Sequence, residues 1–441
     1  MTRGASGPAG RHYCVGMARI VVASMPFAGH VGAMTAVAGE LAGRGHEVLA
    51  YTGAKYAQRF AAVGARWLPW QQATDFDDSD LAATFPPVGD GKGLRGGMAN
   101  VEHVLLGTGA GQAADLLAEA SREPVDLFVT DHLAFGVALA GETLGLPWAS
   151  VAVTPLPLES RELPPPGFPA LPARGPLGRV RDRALRSVLH AVAARVVDPM
   201  LNRMRAAAGL PASTGGMDSL LSPHLVLAQG VPGLDYPRGD LPPHVHFVGR
   251  LAVAASPQEL PAWWPEVVAA RADGIPVVHV TQGTLDVDFT DLLKPAIAGL
   301  AGERVLVVCT TGGAPVDALG PVPDNVRAAR FLPHDQLLPL TDVMVTNGGW
   351  NGVLAAVQAG VPLVVAGASL DKPEVARRVA WSGVGRNLHT GRPGAARVRR
   401  AVRHLLERPE HARRSRELGA KLAAAGGAST AGDLLEELIA A

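Results

Sequence analysis

The chain has only two cysteines, Cys14 and Cys309, in 441 residues. They lie far apart, and Cys309 falls in an apolar run, 305–309. That excludes a disulfide framework and a cysteine zinc site, and it points to a buried free thiol in a reducing, cytoplasmic compartment. An excess of charge is equally absent. Lys+Arg and Asp+Glu are both 40, which removes the electrostatic case for nucleic acid or an anionic membrane as partner. No apolar stretch approaches the ~20 residues needed to span a bilayer. The first 16 residues contain no hydrophobic run, so they read as a disordered extension and not as a signal peptide. Lysine is scarce beside arginine, a compositional bias, so the arginine cluster 397–403 is read as a solvated helix face. Three common reactive signatures are also missing. There is no Gly-x-Ser-x-Gly elbow, no Gly-x-x-x-x-Gly-Lys-Ser/Thr loop, and no Gly-x-Gly-x-x-Gly after a strand. Acyl transfer, nucleotide triphosphate hydrolysis and dinucleotide binding are thereby disfavoured.

What remains is an alternation of short apolar runs with helix-compatible stretches. Residues 19–24, 47–52, 66–69, 127–130 and 148–153 read as strands, separated by helices at 31–43, 55–63, 113–120 and 135–144. The pattern restarts with strands at 277–281, 305–309, 326–331, 342–346 and 363–366 and helices at 291–300, 350–359, 374–381 and 395–406. Such alternation implies α/β halves built on doubly wound parallel sheets. The expected organisation is a first domain over 17–230, a Pro-rich linker over 231–265, a second domain over 266–416, and a C-terminal helix over 417–441 crossing back. Two segments interrupt the first half, the acidic then Gly-rich 71–100 and the Pro-rich 154–178. They are candidate walls of a cleft, with plain surface insertion as the alternative. A long helix is expected over 179–209.

The densest chemical signal is Val343-Met-Val-Thr-Asn-Gly-Gly-Trp-Asn-Gly352. A strand stops at a polar residue and two glycines, and a helix follows at once. Gly348 and Gly349 let a ligand approach the backbone, and the helix start offers free N–H groups and a positive dipole end, which is an anion site suited to diphosphate. Asn347 and Asn351 flank the glycines as amide donors. Thr284, in Gln282-Gly283-Thr284 after a strand, offers a hydroxyl to the same anion. Asp371 and Lys372, between a strand and a helix, can meet sugar hydroxyls, although Asp371 reads equally as a helix cap. In the first half, His30 lies just past the first strand, where an imidazole of pKa about 6.5 can serve as a general base. A helix-capping His is the plainer alternative. Asp131 follows the strand 127–130. If that strand neighbours the first, Asp131 can fix the imidazole tautomer and stabilise its charged form. His132 is an alternative partner.

Taken together, Gly29-His30-Val31, Gly283-Thr284, Leu332-Pro333-His334, Asn347-Gly348-Gly349-Trp350-Asn351 with Gly360-Val361-Pro362, and Asp371-Lys372 resemble the family 1 glycosyltransferases of the two-Rossmann GT-B fold. The bacterial enzymes that glycosylate macrolides and other natural products are the nearest in character, and the resemblance runs from about Met17 to the C-terminus. It implies an inverting transfer of a sugar from a UDP or dTDP sugar to a hydroxyl of a hydrophobic small molecule such as a polyketide. His30 would be the base and Asp131 its partner. Leu332 and His334 would lie at the nucleobase. Thr284, Asn347, Gly348, Gly349, Trp350, Asn351 and Gly352 would surround the diphosphate, and Asp371 and Lys372 would face the donor sugar. No metal or cofactor is implied beyond the nucleotide sugar itself, and a monomer or homodimer is expected. The sequence departs from the family pattern at Asn347, where His is usual, at Gly352, where Ser or Thr is usual, and at Lys372, where Gln is usual. His334 stands where Gln is common. These departures leave open a non-catalytic sugar-nucleotide-binding role and a sugar-nucleotide epimerase.

Overall fold

A computed structural model describes residues 16–441 apart from 90–92, 169, 254–258 and 284–287. The first sheet has seven parallel strands: β1 (Arg19–Ala23), β2 (Glu47–Tyr51), β3 (Arg66–Leu68), β4 (Leu127–Asp131), β5 (Trp148–Ala152), β6 (Leu225–Gln229) and β7 (Val245–Gly249). Their order is β3-β2-β1-β4-β5-β6-β7. The second has six: β8 (Val277–Thr281), β9 (Leu306–Thr310), β10 (Val326–Ala329), β11 (Val343–Thr346), β12 (Leu363–Val365) and β13 (Gly385–Asn387), in the order β10-β9-β8-β11-β12-β13. The continuous apolar runs arise because helices cover both faces of each sheet, so every residue of β1, β4 and β8 is buried. Both sheets reverse their winding between the first strand and the fourth. That switch leaves a crevice at the strands' carboxyl ends, between β1 and β4 and again between β8 and β11. The GT-B architecture of two such halves is the expected fold.

The segment 231–265 differs from its expected linker role. It contains β7, an edge strand of the first sheet whose flanking Pro242 and Pro243 sit just outside the ladder, where proline removes no sheet hydrogen bond. The helix Trp264–Ala272 begins at its far end. Between β6 and β7, Val231 and Leu234 insert into the core of the second half beside Trp350, Val353 and Leu418. The C-terminal stretch is two helices, Pro409–Ala424 and Ala428–Ala440, broken at Gly426 and Gly427, both in left-handed conformations. The second helix packs Ala431 and Leu435 into the first half's core with Val31 and Leu41, and Glu436 accepts from Arg44 Nη1 at 2.8 Å. The acidic segment 71–100 is ordered where described: Asp78 accepts from Lys55, from Tyr56 and from the Ala28 N–H. Of the expected extension 1–16, only Gly16 is among the described residues. Burial pushes the Cys309 thiol up to about 12. Among the described residues no helix is long and apolar enough to cross a membrane.

Candidate active site

The first half brings His30 and Asp131 together. β1 and β4 are neighbours, with Ala23 paired to Thr130, so the residues leaving their carboxyl ends emerge side by side. The helix carrying His30 is Ala28–Gly43, three residues longer at its start than expected. Phe27 takes the N-cap position with no capping side-chain bond of its own, and Asp78, from the acidic segment, accepts from the Ala28 N–H at 2.9 Å instead. His30 therefore lies in the first helical turn. Its Nδ1 is 2.5 Å from Asp131 Oδ2. Asp131 is the last residue of β4 and fully buried. Its carboxylate also accepts from the Met25 N–H at 3.2 Å and the Leu133 N–H at 3.0 Å, with His132 Nδ1 at 3.4 Å.

Burial of the His30 ring disfavours its charged form. The Asp131 carboxylate, by charge and by hydrogen bond, outweighs this and raises the imidazole above its ordinary 6.5, with smaller help from Asp371 and Asp78. Burial likewise works against ionised Asp131, but the charge of His30 and the bonds from His132 and His30 hold that carboxyl well below the usual carboxylate range. With Nδ1 facing a carboxylate, Nε2 is the ring nitrogen left without its proton in the neutral form.

In the second half, β11 ends at Thr346 and the helix Trp350–Gln358 begins after Asn347, Gly348 and the N-cap Gly349. Gly348 has φ +94°, and a Cβ there would lie 2.7 Å from Val365 Cγ1, so the turn admits glycine alone. Gly283, after β8, has φ +74°. Asn347 donates its amide to the Gln282 carbonyl, binding the two switch-point loops to each other. Thr284 lies outside the described residues. Trp350 is buried in the core with its ring against Gly230, so its contribution to the cleft is its position at the helix start. Gly352 has room: a Cβ there would meet Met344 Cε at an ordinary 3.7 Å.

Leu332 packs in the core beside Val308 and Leu337. His334 opens a short helix, its ring 5.7 Å from that of His279. Burial and the charge of Arg250 lower its imidazole to about 4, which keeps it neutral. Phe331 is 56% exposed, its ring edge against Gly313. Asp371 sits at the N-cap of the helix Lys372–Ser382, yet its side chain makes no capping bond. Burial raises its carboxyl above the usual range, opposed by the charges of Lys372, His30 and His132. Lys372 is buried, its Nζ 3.1 Å from Ser369 Oγ.

The two constellations face each other. Asn351 Nδ2 donates to the Gly29 carbonyl at 2.6 Å, one residue from His30, and Gln229 Nε2 donates to Asn351 Oδ1 at 3.1 Å. Gln229 and Arg250, which follow or end the last two strands of the first sheet, were not singled out from sequence. Gln229 carries the same signal as Asp131, a polar residue closing an apolar strand. Arg250 follows a strand hidden among prolines.

Comparison with known proteins completes the picture. Residues 297–438 match the family described as "Erythromycin biosynthesis protein CIII-like, C-terminal domain". The chain is 41% identical over 425 residues to 4'-demethylrebeccamycin synthase of Lentzea aerocolonigenes, covering 96% of this chain and 100% of that protein. It is 30% identical to UDP-glucosyltransferase 1 of Beauveria bassiana (strain ARSEF 2860), covering 91% of each. Among solved structures, the glycotransferase of kitacinnamycin superposes with a TM-score of 0.73 at 22% identity, covering 96% of this chain and 99% of that one. VinC, solved in complex with dTDP, superposes at 0.69 and 22%, covering 96% and 99%.

Proposed function

This chain belongs to the family 1, natural-product glycosyltransferases of GT-B fold, and from that premise we propose that it transfers a sugar, with inversion, from a UDP or dTDP sugar to a hydroxyl of a hydrophobic small-molecule acceptor. The observation that carries the reading is the His30–Asp131 pair standing across a hydrogen-bonded seam from the glycine turn and helix start at Gly348–Asn351.

In this reading His30 Nε2 takes the proton of the acceptor hydroxyl as its oxygen attacks the anomeric carbon. The bond from that carbon to the diphosphate oxygen breaks on the opposite face, and the electron pair leaves with the diphosphate, so the configuration inverts. Asp131 stabilises the imidazolium formed, a contribution that general-base catalysis puts at roughly 10²–10⁴-fold for the base as a whole. The backbone N–H groups at Gly349–Asn351, the helix dipole and the Asn351 amide receive the charge on the leaving group, so no resident cofactor is needed beyond the donor. Holding both substrates in line supplies the rest. Asp371 and Lys372 lie on the sugar side. Phe331 and His334 lie at the nucleobase, where a neutral ring suits an uncharged base. The names of the relatives, a rebeccamycin-type synthase and a UDP-glucosyltransferase, support an acceptor of natural-product type and a nucleoside diphosphate donor.

The test is a matrix of UDP and dTDP sugars against polycyclic and macrolide acceptors, read by mass spectrometry, with the anomeric configuration of each product assigned by proton coupling. Product of inverted configuration, lost in His30→Ala, is expected. Retention of configuration, or full turnover in His30→Ala, would overturn the mechanism.

A further inference from the structure

We propose that Gln229 is a positioning residue that fixes which end of the Asn351 amide faces the leaving diphosphate. The inference rests on the reading of Asn351 as a ligand of the donor phosphates.

Gln229 closes β6 and is fully buried. It stands in a relay of three hydrogen bonds that run in one direction, and its Nε2 also lies 3.5 Å from the Val153 carbonyl. The Leu251 N–H donates to Gln229 Oε1 at 3.0 Å, Gln229 Nε2 donates to Asn351 Oδ1 at 3.1 Å, and Asn351 Nδ2 donates to the Gly29 carbonyl at 2.6 Å. An amide side chain alone does not reveal which of its ends is nitrogen; its network does. Here both termini of the network are backbone groups of fixed polarity. Leu251 N–H can only donate and Gly29 C=O can only accept, so the direction of every bond between them is determined. Turning either amide over would set oxygen against oxygen or N–H against N–H, and at the buried Gln229 such a mismatch is strongly unfavourable.

The consequence falls on the anion site. Asn351 has two N–H groups. One is held by the Gly29 carbonyl, and in this proposal the other is the one offered to the diphosphate. Gln229 holds the Asn351 oxygen to itself, so that oxygen is not offered to the diphosphate it would repel. The same relay binds the donor-side helix to the residue next to His30. The position of the leaving group is thereby registered against the base by first-half residues that touch neither substrate.

The test uses the intact protein, with UDP and dTDP as probes and calorimetry as the readout, on whichever nucleotide the wild type binds more tightly. Gln229→Glu keeps the size and the acceptor for Leu251. Ionised, it cannot donate to Asn351 Oδ1, and it draws the Asn351 N–H groups towards itself. At pH 8 the nucleotide Kd is expected to rise at least about tenfold. Gln229→Met, which imposes no polarity, is expected to rise less. At pH 5.5 the Gln229→Glu defect is expected to shrink as the carboxyl regains a proton to donate. A merely structural role would weaken folding and binding together, because an unpaired carboxylate in this buried place is itself destabilising. Urea unfolding of both variants is therefore read beside the calorimetry at each pH, and a Kd defect that only follows loss of folded protein overturns the inference. Wild-type affinity in Gln229→Glu, or a larger loss in Gln229→Met, overturns the inference. Asn351→Ala separates the two readings. If it weakens binding while Gln229→Glu does not, the positioning role alone falls; if Asn351→Ala binds like wild type, the donor role of Asn351 falls and this inference with it.

Discussion

Asp131→Asn removes a charge and little else, and its effect follows from the geometry of one contact. His30 Nδ1 is 2.5 Å from a carboxylate oxygen that is fully buried. A hydrogen bond to a charged group in such a place contributes ~1.5–3 kcal/mol. The imidazolium appears only as the acceptor proton is taken, so that amount is lost from the transition state, about 10- to 150-fold in rate. A second loss adds to it. Asn can turn its N–H towards Nδ1, which moves the ring proton to Nε2, the atom that must be bare. Asp131→Asn is therefore expected to fall between wild type and His30→Ala, which loses roughly 10²–10⁴-fold. The two changes together are expected to cost little more than His30→Ala alone. The sign of the pH effect is fixed as well. Asp131 raises His30 above 6.5 while burial lowers it. Without the carboxylate, burial gains weight and the acid limb of kcat/KM moves to lower pH even as the plateau drops. Stability follows the same pair. The raised His30 contributes stability that is full below about 6.5 and is lost as pH rises through its folded value, and the depressed Asp131 contributes stability that is present above about 3.8 and is lost as pH falls through its own. The denaturant-midpoint gap between wild type and Asp131→Asn is thus widest between about pH 4 and 6.5. A wild-type plateau in Asp131→Asn, or an acid limb that stays put or moves up, would refute the argument.

Three further outcomes are expected. Gly348→Ala forces a left-handed residue to carry a Cβ 2.7 Å from Val365 Cγ1. Strain and overpacking together cost roughly 2–5 kcal/mol, read as a lowered Tm with loss of UDP or dTDP binding. Gly352→Ser meets only an ordinary contact at 3.7 Å and restores a hydroxyl at the helix start. Calorimetry should show tighter nucleotide binding, and the helix should gain about 0.5 kcal/mol from propensity; weaker binding would place the diphosphate elsewhere. Arg378→Met removes from buried Asp235 the guanidinium that binds it at 2.7 Å, leaving Arg238 at 3.6 Å, and Glu374 keeps the Gly167 N–H but loses its cation. Urea unfolding should show a loss of roughly 3–5 kcal/mol.

How much of this was legible depends on whether a residue's role is local. β8 is read to the residue at 277–281, because three valines in a β-branched, buried run between turn signals need no outside help, even with His279 and Thr281 among them. β13 was not read. Gly385-Arg386-Asn387 has no apolar run and is a strand only because β12 pairs with it. The start of the His30 helix was misplaced by three residues because Ala28 is capped by Asp78, fifty positions away. Asp131 was read as lying past its strand and is its last residue, a shift that leaves it at the same carboxyl edge. The side chains of Leu332 and Trp350 are core, and nothing in a motif says which face of an element a large apolar residue will choose. The non-catalytic and epimerase alternatives, raised by Asn347, Gly352 and Lys372, yield to family membership.

The seam between the halves has two kinds of contact, and their energies differ. One kind is solvent-exposed hydrogen bonds, Asn351 to Gly29 and the Gly167 N–H to Glu374 at 3.1 Å, each contributing on the order of 1 kcal/mol net. The other kind is buried. Trp350 packs on Gly230, Val231 and Leu234 enter the second core, Arg378 pairs with Asp235 while lying 4.5 Å over the Tyr236 ring, and the last helix joins the first core. Burying an aliphatic side chain contributes ~1.5–3 kcal/mol each, so the facing arrangement is maintained mainly by the buried contacts. The exposed polar bonds can then be made and broken without unfolding the seam. The proposed base on one sheet and the proposed anion site on the other need this division: their separation is set by buried packing, and the hydrogen bond that joins them directly is a weak polar one.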